Sequence, residues 1–115
     1  MKQRGTFAMT AAALALAGSA AAAGAAAPSM SSAWLSIRVS QDECIQKGTA
    51  AARRHGFASR LEVLANAAIY AERGDYTVLV RCAAEKGLVY FVVAGPEGPE
   101  CNRHMSGIRD AFQAG

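Results

Sequence analysis

The chain reads as a small α+β domain: an antiparallel sheet of about four strands with two helices on one face, in the order β-α-β-β-β-α. Three stretches carry that reading. Residues 76–83 alternate, with Tyr76, Val78, Val80 and Cys82 on one face of a strand and Thr77, Leu79, Arg81 and Ala83 on the other. Residues 88–94 form a nearly continuous apolar run, as in a strand at the middle of a sheet. Ser40, Gln41, Asp42 and Glu43 spell S-x-x-E, the capping box that opens a helix.

The front of the chain is set apart from this domain. Lys2 and Arg4 stand at its start, and no charged residue follows between Thr6 and Ala27. A cationic start, an apolar stretch rich in Ala and several A-x-A frames make residues 1–26 a secretory signal peptide, cleaved between 20 and 27. Cuts after Ala20, Ala23 or Ala26 fit, whereas a cut after Ala27 would leave Pro28 next to the scissile bond. The stretch is just long enough to span a bilayer, but Ala partitions weakly beside Leu, Ile, Phe or Val, so a leader is preferred to an anchor. The expected location is therefore periplasmic or secreted. Residues 27–33 read as a small, polar, flexible tether, followed by one domain over 34–115.

Export changes the charge balance. The chain has 12 Lys and Arg against 9 Asp and Glu. Lys2 and Arg4 leave with the leader and no acid does, so 10 bases face 9 acids and the net charge falls from +3 to +1. A domain so close to neutral offers no electrostatic footprint for nucleic acid or, once the leader is gone, for an anionic membrane.

The elements follow in order. Leu35, Ile37 and Val39 alternate with Ser36 and Arg38, which predicts a short first strand. The first helix runs from the capping box to about His55, with Gly56 in its C-terminal cap. Cys44, Ile45, Gly48, Ala51, Ala52 and His55 share its inner arc, and the small residues among them allow close approach to a sheet. Residues 59–73 support two readings. Ser59 and Glu62 could cap a helix striped by Leu61, Leu64, Ala65 and Ala68, whereas Ala67, Ile69 and Ala71 alternate as in a strand. The turn at Gly74-Asp75 and the strand after it favour a hairpin partner over 66–73. Glu85-Lys86-Gly87 turns the chain into the 88–94 strand, and Gly95 to Pro99 ends it. Residues 100–112 form the closing helix, with Met105, Ile108 and Phe112 on one stripe.

The layout Cys44…Gly56-Phe57, then Gly74-Asp75-Tyr76-Thr77-Val78-Leu79-Val80-Arg81-Cys82, then Val89-Tyr90-Phe91-Val92-Val93-Ala94-Gly95-Pro96 resembles small exported proteins of Gram-negative bacteria that have no assigned function. The resemblance covers most of the chain after the leader. It implies a periplasmic α+β domain and no activity.

Three cysteines, Cys44, Cys82 and Cys101, leave an odd thiol if two of them pair. The inner helical arc holds Cys44 and the Tyr76-Val78-Val80 face holds Cys82. If that face packs on the helix, the two sulfurs reach bridging distance. The alternative is two separate buried thiols, and a pairing of Cys101 with either remains open. Cys101 near a helix start, with His104 one turn on, suggests a reactive thiol, an intermolecular bridge or two ligands of a soft-metal site. Against it, Glu97 and Glu100 would hold the thiol protonated. His55 reads as a helix C-terminal cation or a satisfied, partly buried side chain. Arg73-Gly74-Asp75 spells an adhesion tripeptide whose simpler reading is a hairpin turn.

No G-x-S-x-G, H-E-x-x-H, P-loop or dinucleotide fingerprint occurs, so no catalytic residue, metal or cofactor is assigned. If helices cover one sheet face only, one parity of the 88–94 strand is left open as a binding surface. The expected function is thus a noncatalytic exported domain that binds a protein or small ligand, or forms a homodimer, through its sheet. The second reading is a thiol-active or metal-binding protein using Cys101 and His104.

Overall fold

The computed structural model describes residues 27–115, so the expected signal peptide over 1–26 lies outside the described residues. Helix α1 (Gln41–Arg54) starts where the capping box places it: the Ser40 hydroxyl oxygen accepts the Glu43 N–H at 3.1 Å. It ends at Gly56, whose φ of 83° is the left-handed conformation that glycine adopts without penalty. Arg73 reinforces that end by donating to the His55 carbonyl at 2.9 Å. The inner arc is as expected, with Cys44, Ile45, Gly48, Ala51 and Ala52 buried.

The sheet has five antiparallel strands in the order β1-β5-β4-β3-β2: β1 (Ser29–Ser36), β2 (Ser59–Leu64), β3 (Ala68–Arg73), β4 (Tyr76–Ala83) and β5 (Leu88–Gly95). The architecture is the mixed α+β domain read from the sequence, with one strand more than expected. Strands β2 to β5 form a meander, and β1 returns beside β5. Gly74, at φ 57°, opens the β3–β4 hairpin turn, and a 3-10 turn at Ala84–Lys86 joins β4 to β5.

Helix α2 (Gly98–Ala114) packs over β1 and β5, and α1 packs over β3 and β4 and against α2, so both helices share one side of the sheet. Between the layers lie Ile69 and Ala71 of β3, Val78, Val80 and Cys82 of β4, and Val89, Phe91 and Val93 of β5, all fully buried. Phe57, Ile108 and Phe112 close the core from the helix side, with Phe112 edge-on to Phe91 at 5.5 Å between ring centroids. Gln41 ties α1 to the sheet: its amide donates to the carbonyls of Asn66 and Cys82 and its oxygen accepts the Ala84 N–H.

Three boundaries differ from the sequence reading. Strand β1 begins at Ser29, inside the segment read as a tether, and ends at Ser36 rather than Val39. Ser29 to Ser36 pair one for one with Gly95 to Leu88, and this ladder outweighs a serine-rich composition. Residues 59–64 form the extra strand β2 and the following strand begins at Ala68 rather than residue 66, because Ala65 and Asn66 make the turn between them. Helix α2 starts two residues early, at Gly98, with Pro99 in its first turn where a missing N–H does no harm.

Candidate functional site

The helices leave the opposite face of the sheet open. Period-two alternation dictates which side chains it carries. On β5 these are Leu88, Tyr90, Val92 and Ala94; on β4, Thr77, Leu79, Arg81 and Ala83; on β1, Met30, Ser32, Trp34 and Ser36. Pairing sets them in rows. Trp34 lies opposite Tyr90, and Tyr90 lies opposite Arg81 on its other side. Ser36, Leu88 and Ala83 form the next row, and Ser32, Val92 and Leu79 the row on the other side.

At the Trp34–Tyr90–Arg81 row the face dips into an open recess of about 320 Å³ lined by Trp34, Arg81, Ala83, Leu88 and Tyr90. Its lining is almost wholly apolar apart from Arg81. That guanidinium is turned to backbone, donating to the carbonyl oxygens of Cys82 and, at 3.4 Å, Ala67. Trp34 is 61% exposed and Tyr90 43%. Toward β2 the face becomes polar: the Tyr70 hydroxyl donates to Glu72 at 2.5 Å, and the carboxylate acceptor raises the phenol's pKa. The sequence reading foresaw an open parity on β5. It missed Arg81 and Leu79 as part of the same surface, although their position on the non-core parity of β4 was readable. It also placed Trp34 over a sheet edge, whereas it stands on the open face of β1.

On the helix side, Cys44 and Cys82 are joined by a disulfide with Cα atoms 6.1 Å apart. Both sulfurs sit in the core, where the helical arc and the strand parity had directed them. Cys101 is the free thiol. It is fully buried and points at the Ser29 carbonyl at 3.5 Å. Burial, and then the Glu100 charge, push its pKa up, so its surroundings suppress the thiolate that reactivity or metal binding requires.

His104 does not join Cys101. Its Nδ1 faces His55 Nε2 at 3.3 Å, and its ring is edge-on to Phe57 and Tyr76. Glu100 Oε2 stands 3.7 Å from its Nε2. Burial first, and then the Arg73 charge, lower the pKa of both imidazoles. This pair links the C-terminal end of α1 to the middle of α2. The sequence signal for it was present: His55 lies on the inner arc of α1, and His104 falls four residues before Ile108. Among the described residues no three His, Cys, Asp or Glu side chains converge as a metal site, and no helix is long and apolar enough to cross a membrane.

No known family model matches the chain, and no curated protein matches it.

Proposed function

We propose that this chain is an exported, noncatalytic domain that binds a protein partner through the open face of its sheet. The observation that carries this reading is the Trp34–Tyr90–Leu88 recess, an apolar and aromatic surface left bare on a domain whose other face is fully covered. Exposed, contiguous apolar surface of this kind marks interaction sites, and Trp, Tyr and Arg are the residues that anchor them. The recess is open to solvent along the sheet face, whereas a small-molecule site buries most of its ligand. It therefore suits the flat surface and protruding side chain of another protein. Export to an oxidising compartment is supported by the Cys44–Cys82 bridge, since cytosolic thiols are kept reduced. The leader-like residues 1–26 point the same way. The thiol or metal reading loses its basis in the burial of Cys101 and the engagement of His104 with His55.

The test is site-specific photo-crosslinking in the producing cell. A photoreactive residue at Tyr90 is expected to give a discrete protein adduct, and one at Gln46, on the exposed side of α1, is expected to give none. No adduct from Tyr90, or the same adducts from both positions, would overturn the reading.

A further inference from the structure

Strand β1 lies at the edge of the sheet, with β5 on one side only. The Ile37 N–H donates to the Gly87 carbonyl at 2.9 Å, continuing the β1–β5 register by one pair. In an antiparallel ladder alternate residues direct their backbone groups to the same neighbour. The odd-numbered residues of β1 therefore bond to β5, and the N–H and C=O groups of Met30, Ser32, Trp34 and Ser36 point outward. Among the described residues no strand meets them.

The chain guards its two edges unequally. Strand β2 has six residues, carries Arg60 and Glu62, and is irregular between Ser59 and Glu62, with Arg60 at φ 50°. Charges and bulges of this kind blunt an edge against further pairing. Strand β1, Ser-Met-Ser-Ser-Ala-Trp-Leu-Ser, has no charge, proline or glycine, and it pairs without a break over all eight residues. It also bears the two most exposed large apolar side chains of the described residues, Met30 at 66% and Trp34 at 61%. A long, regular, uncharged edge with exposed apolar side chains is a template for strand addition.

We propose that β1 is the seam of a symmetric dimer, in which two copies of this chain join edge to edge into one ten-stranded antiparallel sheet. The two-fold axis passes at Ser32. Ser32 then faces the partner's Ser32, Met30 faces the partner's Trp34, and Trp34 faces the partner's Met30. In this register even-numbered residues meet even-numbered ones, so each of the three pairs exchanges two N–H···O bonds between groups that meet no other strand among the described residues. Met30 and Trp34 of each copy then gain a neighbour across the seam, in thioether–indole contacts that favour association, while their outer surfaces stay on the open face. The occupant is a second copy because the strand is complementary to itself. The operation closes after two chains, and no charge on β1 calls for a foreign partner. The two open faces become one continuous surface with a recess in each half. This seam does not depend on the partner proposed above for that surface.

The test is sedimentation equilibrium on protein purified from cells expressing the full chain, as wild type, Ser32→Pro and Ser32→Cys. The wild type is expected at twice the monomer mass. Ser32→Pro removes one outward N–H from an edge strand, which tolerates proline there. It is expected to sediment as a monomer with unchanged circular dichroism and a cooperative melt. Ser32→Cys is expected to form a covalent dimer on a non-reducing gel, since residues in a bonded antiparallel pair lie about 5.5 Å apart, within disulfide reach. A wild type that stays monomeric at millimolar concentration overturns the seam, as does a dimer that survives Ser32→Pro. Should Ser32→Pro fail to fold, absence of the Ser32→Cys cross-link overturns it alone. A monomeric wild type that still gives an adduct from Tyr90 would sink the seam and leave the open-face reading standing.

Discussion

His55 and His104, 49 positions apart in sequence, meet at a joint between the two helices. Burial and the nearby Arg73 guanidinium hold both below the ordinary 6.5, with Glu100 opposing and Arg103 reinforcing the effect at His104. The fold therefore prefers both rings neutral, and as pH falls the unfolded chain takes up protons first. Their contribution to stability is complete above about pH 6.5 and is lost as pH drops below it toward the folded-state values. Thermal melts are expected to show a lower midpoint at about pH 5.5 than at pH 7.5, a window in which ordinary carboxylates barely titrate. His55→Gln should reduce that difference. An unchanged pH slope in the variant would show that the pair is not its source. Cys101 yields a second expectation at this scale. Its buried, protonation-favoured thiol should react with a maleimide far more slowly in the native protein than in urea. Labelling at equal rates in the two would refute that.

At the scale of elements, legibility followed the strength of local signals. Helix α1, strand β4 and strand β5 were read nearly to the residue, because a cap, a clean alternation and an apolar run each stand alone. The Cys44–Cys82 pair followed from helical arc and strand parity once the Cys82 face was taken to pack on the helix, whereas β5, apolar on both parities, did not tell which of them faces outward. Strand β2 was hidden for two reasons. It is an exposed edge strand in which only Leu61 is even half-buried, so burial imposes no alternation on it. Its turn also lacks a turn signal. Ala65 and Asn66 have φ of 52° and 51°, and the Ala67 N–H bonds to the Leu64 carbonyl at 2.8 Å, as in a type I′ turn, within a three-residue loop that pairs Leu64 with Ala68. Such turns ordinarily read Asn-Gly, and an alanine in the left-handed region is strained. Asn66 is fixed by its bond to Asp42 at 2.9 Å, so relief must come at the other position. Ala65→Asn is expected to stabilise the fold by about 0.5–1 kcal/mol in urea titration. A loss of stability would mean the turn is held by something other than its own backbone. Gly48 makes the converse case: a Cβ there would stand 2.6 Å from Ile69 Cδ1 and 3.3 Å from Val80 Cγ1. Gly48→Ala should cost about 1–2 kcal/mol, because overpacking exceeds the gain in helix propensity. A neutral result would mean that Ile69 can turn aside.

For the molecule as a whole, the disulfide is the one covalent tie beyond the backbone between the helical layer and the sheet among the described residues. Cys44 sits in the first turn of α1 and Cys82 near the end of β4, so the bond spans the chain reversal that the β2–β3 hairpin completes. Closing a 38-residue loop restricts the unfolded chain by about 3–4 kcal/mol in the chain-entropy picture. A domain of this size has only about 5–15 kcal/mol of stability in total. The same end of α1 is also held by Gln41 and by the Asn66–Asp42 bond, so loss of the bridge removes an entropic restraint more than a contact. The double variant Cys44→Ala, Cys82→Ala is therefore expected to keep the native fold and open face, while its urea midpoint falls by the equivalent of about 3 kcal/mol or more. Both sulfurs are fully buried, so a mild thiol reductant should act on the wild type only through opening of the core. Rapid reduction under native conditions, or a midpoint shift below about 1 kcal/mol, would mean that the bridge is incidental and that packing between the layers is sufficient without it.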